Sequence, residues 1–409
     1  MMSRYFFALL FLSVFISGTA QQAPWQTLKI PSKALKIDQS IQVYVPDDYG
    51  ATEKSYPVLY VIDAHWYFFN GVSIQKTIRG DKILPKMIVV GVDFQHRPYR
   101  DSLFNASWEE VVTFVGTELP TYINENYRIK EKESVVFGWE QASFMVSELL
   151  FRENPAFDGF IHSNGGYVTE EMLTNFRKAE GQKRYAYIAN SEKDIYTIDH
   201  SKRMVATLEA NELEHLNWRY QLINSEVHET LAYHAMYFGL RHFYHNYASK
   251  DYAGISDFHE QGGLPYLEQY FKERGERFEL DPNIDDATKN TLIWLSWKRD
   301  NFESFQFFMK EFSEVLETRR YASSYWQNRL AQFYLKYEAH QPAIDHFTKG
   351  LNDYPDDRFT AAMYAGLGQA YQGINKKKLA KANFRKAIDF AREQSDPNLA
   401  EYQSLLDDL

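Results

Sequence analysis

Ten residues, Ser134 to Ser143 (SVVFGWEQAS), carry the pattern best suited to chemistry in this 409-residue chain. A run of Val135, Val136 and Phe137 leads to Gly138, then to two residues placed for a sharp turn. Small Ala142 and Ser143 follow, with an amphipathic stretch through Leu149 and Leu150. A strand that breaks into a helix in this way lifts one side chain above the sheet, and a Gly-x-Ser-x-Gly sequence would put a nucleophilic serine there. Here Glu140 holds the central position. A serine deprotonated by histidine forms an ester that water then cleaves. A carboxylate cannot follow that route, and its charge opposes the oxyanion such a turn stabilises. Glu140 could attack an alkyl carbon instead, but it adds a methylene to a turn built for a short side chain. Ser143, three residues on, is expected to face the sheet as a small packing residue.

The elements that position this turn follow from hydrophobic patterning. Gln39 to Val45 alternates polar and apolar (Ile41, Val43, Val45) and ends at Pro46-Asp47-Asp48, which predicts a half-buried strand entering a turn. Pro57 to Ile62 (PVLYVI) and Met87 to Val92 (MIVVGV) are short unbroken apolar runs, the form of strands covered on both faces. Glu109 to Asn124 has helical periodicity through Val112, Phe114, Val115 and Leu119, with Pro120 expected to break or kink it. Further strands are read at Phe160-Ile161 and Tyr185 to Ala189. This alternation predicts an α/β fold with a mostly parallel sheet and helices on both faces. Ligands of such sheets sit at the carboxyl ends of the strands, where loops starting near Asp63, Asp93, Gly138, His162, Asn190 and Asn224 should gather. His65, Glu140, His162 and His228 fall near that edge. They could bind zinc if they met at about 2.0 to 2.2 Å from one point, although isolated histidines more often serve as hydrogen-bonded scaffold.

Composition narrows the function classes. Arg4, the apolar run Tyr5 to Ile16 and Gly18-Thr19-Ala20 together read as a secretory signal peptide cleaved after Ala20, so export to the periplasm or beyond is expected. The run is shorter than the roughly 20 residues of a spanning helix, and no membrane span is expected in the mature chain. With no cysteine there is neither a disulfide nor a lipid-modified N-terminal cysteine to invoke. A formal charge of -10, from 45 Lys+Arg and 55 Asp+Glu, argues against a nucleic-acid partner. No cofactor motif is present.

From about Asp251 the character changes, with Gly254, Gly262, Gly263, Pro265, Gly275 and Pro282 punctuating charged helical pieces. An internal repeat follows. Leu367-Gly368, Tyr371, Ala380, Phe384 and Ala387 fit tetratricopeptide spacing, and Leu330-Ala331, Tyr334, Ala343, Phe347, Gly350 and Pro355 share the register one unit earlier. Leu295, Ser304 and Phe308 suggest a third, degenerate unit, needed because one repeat cannot bury its own apolar face. The boundaries expected are 1–20 for the leader, 21–252 for the sheet domain, 253–283 for a linker and 284–409 for the tetratricopeptide-like domain.

Residues 37 to about 250 resemble the esterase family of α/β hydrolases that contains enterochelin esterases and esterase D-like enzymes. The resemblance rests on PVLYVIDAHWYF, VVGVDFQHRPYRDSLF, FDGFIHSNGGY and EVHETLAYHAMYFGLRHFY, in that order. GLPYLEQYFKERGERF is similar to the passage into helical repeats in members with C-terminal tetratricopeptides. The resemblance implies that His228 is the general base and that its acid comes from the loop after YAYIAN, where Glu192 and Asp194 are the candidates. It implies oxyanion amides at Gln141 and in the Ala64-His65 loop. Relatives usually have Asp-Gly where this chain has Asp63-Ala64, a mild departure, whereas Glu140 is a severe one. A protonated His228 could pair with Glu140 and turn a catalytic seat into a salt-bridged one. Two functions follow. The first is an exported esterase-family protein that binds an ester-like ligand at the sheet edge, or a protein or peptide on its helices, without catalysis. The second is a carboxylic-ester hydrolase using an unconventional site, through Glu140 or with a metal.

Overall fold

The computed structural model describes residues 25–78, 83–179 and 181–409, so the leader read at 1–20 lies outside the described residues. Two compact units divide between Ala248 and Ser249.

The first unit is built on eight strands: β1 (Trp25–Ser32), β2 (Ile37–Tyr44), β3 (Tyr56–Ile62), β4 (Ile88–Val92), β5 (Ile129–Trp139), β6 (Gly159–Ser163), β7 (Arg184–Asn190) and β8 (Leu216–Leu222). Their order is β1-β2-β4-β3-β5-β6-β7-β8. β1 pairs antiparallel with β2 and β2 antiparallel with β4, while every pairing from β4 to β8 is parallel. The apolar runs become the centre of the sheet: every residue of β3, β4 and β6 is buried, as strands covered on both faces require.

Eight helices join the strands: α1 (Ala64–Ile78), α2 (Arg97–Ala106), α3 (Trp108–Thr113), α4 (Leu119–Asn126), α5 (Gln141–Leu150), α6 (Glu170–Lys178), α7 (Ile198–Glu209) and α8 (Leu231–Phe243). Between α3 and α4 the backbone makes a π-helical turn, Phe114–Glu118. Pro120 is the second residue of α4 in a run whose preceding residues are already helical, so its missing N–H would leave a gap in a regular i→i−4 ladder. The helical run therefore changes winding ahead of the proline and continues. Val136, Phe160 and Ile188 from the sheet pack with Phe114, Leu119, Val146 and Leu149 from the helices in one core, each at most 1% exposed. Parallel register sets Val61 beside Phe137, Gly138 beside His162 and Ser163 beside Ala189, so the loops after β3, β5, β6 and β7 leave one edge together.

The second unit, Ser249–Leu409, is helical: α9 (Ile255–Glu260), α10 (Gly263–Phe278), α11 (Asp286–Lys298), α12 (Phe302–Glu311), α13 (Ser324–Lys336), α14 (His340–Asp353), α15 (Thr360–Gly373), α16 (Lys377–Gln394) and α17 (Leu399–Asp407). Side chains cap several helices, with Asp285 accepting from Thr288 N, Asn301 from Ser304 N and Ser323 from Trp326 N. The stretch 253–283, read as a linker, forms α9 and α10, whose Phe258, Leu267 and Phe271 are buried in the core of this unit with Leu292, Phe305 and Phe308. On α15, Gly366 and Gly368 lie so close to the rings of Phe347 and Phe384 that a Cβ would collide with them.

Candidate functional site

β5 ends at Trp139, and Glu140 turns the chain into α5 with φ 54° and ψ -119°. A non-glycine residue in this region stores about 1–3 kcal/mol of strain, so the surroundings must hold it. Glu140 N–H donates to Ser163 O at 3.0 Å, and its carbonyl accepts from Ser143 N–H at 2.9 Å. The first turn of α5 folds back over Gly138, where a Cβ would strike the Ala142 carbonyl. Gly138 and buried Ala142 thus supply the space that lets α5 start directly above the strand.

His228 lies in the turn between β8 and α8. Its Nδ1–H donates to Asp194 Oδ1 at 3.0 Å, and Nε2 stands 3.9 Å from Glu140 Oε1. Trp139 fixes it from below: the indole Nε1–H donates to the His228 carbonyl at 3.0 Å, and the two rings lie 4.9 Å apart. Tyr196 closes the other side at 5.4 Å. Asp194 is fully buried. Its Oδ1 also accepts from Tyr196 N–H at 3.1 Å, and its Oδ2 accepts from Asn164 Nδ2 at 2.9 Å and from the Thr197 hydroxyl. Burial alone would push this carboxyl up, but the bonds from His228, Thr197 and Asn164 outweigh it and hold the group well below the usual carboxylate range. The Asp194 hydrogen bond raises His228 above an ordinary imidazole, against burial and with help from the charges of Glu140 and Glu229. Glu192, the other candidate acid, points elsewhere: it is exposed, and its N–H and carboxylate bond the Asn224 side chain at 2.9 and 3.5 Å. Between the two, geometry pairs His228 with Asp194.

Glu140 is bracketed by guanidinium groups. Arg97 Nη2 lies 3.4 Å from Oε1, and Arg100 Nη1 lies 3.5 Å from Oε2. Arg100 is fully buried on α2 and grips equally buried Asp63 through Nε at 2.7 Å and Nη2 at 3.0 Å. Its Nη1 also donates to the Gln141 side-chain oxygen at 3.1 Å, and its plane lies over Phe104 at 4.5 Å. One guanidinium therefore ties the loop after β3 to the first residue of α5. Asp63, at φ 65°, accepts from Trp66 N and Tyr67 N at the start of α1. Ala64 is buried there against β4, and the room for its methyl comes from Gly91, where a Cβ would stand 2.5 Å away. His65 packs on Trp66 at 4.0 Å, and burial lowers its pKa. α1 and α5 thus start from neighbouring strand ends, and the backbone N–H groups at such helix starts favour anions.

His162 does not reach this edge. It is fully buried beneath α5, with Nδ1 3.2 Å from the Ser143 carbonyl, and burial pushes it down to about 4. The zinc arrangement considered for His65, Glu140, His162 and His228 is therefore not assembled. Among the described residues no group of three or more His, Cys, Asp or Glu is placed to hold a metal ion. Arg97, Asn164 and Thr197, absent from the sequence-based site, join it. Nothing in their spacing marks Arg97 and Asn164, because their partners lie on other loops, whereas Thr197 is only three residues from Asp194 and could have been found once Asp194 was chosen.

The arrangement offers a polarised imidazole, amides at two helix starts and a charged side chain at the crest of the turn. The family model named "Putative esterase" matches residues 32–146. The fold is similar to that of an uncharacterised protein from Capnocytophaga ochracea, with a TM-score of 0.55 and 18% identity over 85% of this chain and 99% of that one. It is also similar to an IroE-like serine hydrolase from Shewanella oneidensis, with a TM-score of 0.50 and 17% identity over 70% of this chain and 98% of that one. Among curated proteins none matches. The chain thus has an esterase-like α/β-hydrolase fold, followed by a helical C-terminal region.

Proposed function

We propose that the protein is an exported, non-catalytic member of the esterase lineage, binding an ester-like small molecule at the sheet edge and a protein partner through tetratricopeptide-like helices. The observation that carries the reading is Glu140 at the crest of the turn, 3.9 Å from His228 Nε2 and bracketed by Arg97 and Arg100. A serine esterase needs a hydroxyl at this position to attack a carbonyl and amides free to receive the oxyanion. A carboxylate here has no proton for His228 to remove, places negative charge where the oxyanion would form, and is itself the anion these cations serve. The antiparallel helix pairs and the glycines at close helix crossings support the repeat reading, and the apolar leader sequence supports export.

One observation favours a second reading. The Asp194–His228 pair is complete and polarised, which is the half of a hydrolytic site that activates water. On that reading Glu140 attacks the alkyl carbon of an ester, breaking its C–O bond and expelling the substrate's carboxylate, and His228 then takes a proton from a water that attacks the glutamyl ester carbonyl, releasing the alcohol and restoring Glu140.

The experiment compares wild type, Glu140→Ser and Glu140→Ser/His228→Ala with an activated chromogenic ester and a fluorophosphonate probe. Wild type should neither turn over nor label. Glu140→Ser should gain weak hydrolysis, about 100-fold or more below an active esterase because misplacement by about 1 Å costs that much, and the double variant should lose it. Turnover by wild type that disappears in Glu140→Ser would make Glu140 the catalytic residue and sink the first reading.

A further inference from the structure

One face of the helical unit carries indole rings and cations that its own packing leaves unneutralised. Trp294 and Trp297 sit one turn apart on α11, and Trp326 on α13 meets them at 5.8 and 6.1 Å. The three indoles are partly exposed, although Trp297 and Trp326 also pack on the core. Cations lie over them: Lys298 at 5.1 Å from Trp294, Arg320 at 5.7 Å from Trp326 and Arg329 at 4.3 Å from Trp297. Elsewhere on the same helices cations are neutralised, Lys289 by Glu314 and Lys336 by Asp300. Lys298, Arg320 and Arg329 have no carboxylate partner among the described residues.

Each feature asks for a particular complement. Cations held against indoles have already lost much of their side-chain freedom, so pairing them with carboxylates costs less ordering than pairing free lysines would. The indole edges offer apolar surface between the charges. Alternate side chains of an extended peptide face the same way, so carboxylates at alternate positions can meet several cations on one face while the residues between them meet the indoles. We infer that the face formed by α11, α13 and the turn before α13 docks an extended acidic peptide from a protein partner, with carboxylates on Lys298, Arg320 and Arg329. This rests on the helical unit being a partner-binding surface and gives that surface its chemistry.

The test uses the full mature chain and short fluorescein-labelled peptides that alternate Glu or Asp with Val or Leu, beside counterparts with Lys in place of the acids. Anisotropy should show binding of the acidic peptide only, weakening about tenfold between about 0.05 and 0.5 M NaCl as the charges are screened. Lys298→Glu/Arg320→Glu should weaken it by a further factor of about ten or more. Both positions are exposed, and circular dichroism checks that the variant is folded; Lys298→Gln alone should still weaken binding measurably. Equal binding of the basic peptide, or insensitivity to salt and to these substitutions, overturns the inference while leaving a partner surface in place. Preferential binding of oligogalacturonate overturns it in favour of an acidic polysaccharide. Binding of neither peptide overturns the partner-surface reading as well, and none of these outcomes bears on whether wild type hydrolyses an ester.

Discussion

At the scale of single residues, His228 is paired with Asp194 while Glu140 stands at the crest of the turn. His228 is raised in the folded protein chiefly because Asp194 accepts its Nδ1–H. A histidine whose folded pKa exceeds its unfolded value contributes stability that is fully present below about 6.5 and is lost as pH rises through the folded pKa. His228→Gln should therefore cost more stability at about pH 5.5 than at about pH 9, read as the difference in urea midpoint from wild type at each pH. An equal loss at both would mean that His228 is not held by charge. That Glu140 and His228 meet at one edge of the sheet was legible in the sequence, because a strand, glycine and turn ahead of a helix and a histidine just ahead of another helix are local signals. The choice of Asp194 over Glu192 was not. It depends on Asn164 and Thr197, which reach Asp194 from the loop after β6 and from its own loop.

At the scale of elements, Arg100 is what holds the two halves of the site in register. Its sequence context, RPYRDSLFNA, is a short polar helix in which charge is ordinary, and nothing there announces a side chain with no exposure. The burial follows from Asp63, 37 positions away. Arg100→Met should destabilise the protein by about 3–5 kcal/mol, since it leaves Asp63 buried without its cation. Adding Asp63→Asn, which removes the stranded charge and tolerates positive φ, should recover more than half of the loss. Chemical denaturation of wild type, single and double variants checks this; a double variant no more stable than Arg100→Met would show that the pair acts through packing alone. The strands divide by the same logic. β3, β4 and the second half of β5, from Val135, are apolar runs because both faces are covered, and they stand out in the sequence. β1 and β8 are the outer strands of the sheet, with mixed burial, and Pro31 lies within β1, as an edge strand allows. β1 has no regular apolar pattern to read, whereas β8 alternates Leu216, Trp218, Tyr220 and Leu222 with polar residues, a half-buried strand signal too short of an apolar run to stand out.

At the scale of the whole chain, the repeat register made the helical character of the C-terminal region visible, while its beginning was obscured by glycines. Gly262 and Gly263, both with positive φ, introduce α10; they are the start of a helix, although in the sequence they resemble linker punctuation. The consequence concerns how much chain the helical unit needs. Phe258 on α9 and Leu267 and Phe271 on α10 are at most 2% exposed and share one core with Leu292, Phe305 and Phe308. A fragment of residues 284–409 would keep Phe305 on Phe333 and Tyr334 but would strip Phe308 of Phe258 and the shared core of Leu267 and Phe271, and emptying a core position of a large side chain costs about 2–5 kcal/mol. Such losses are comparable with the whole stability of a domain, about 5–15 kcal/mol. The fragment 249–409 should accordingly melt cooperatively, and 284–409 should melt at least about 10 °C lower or lack a transition, because about 1 kcal/mol shifts the midpoint of a domain near this size by about 2–8 °C. Thermal unfolding followed by circular dichroism at 222 nm gives the comparison. Equal midpoints would mean that α9 and α10 pack on the repeats without supporting them, and that residues 253–283 act as a linker after all.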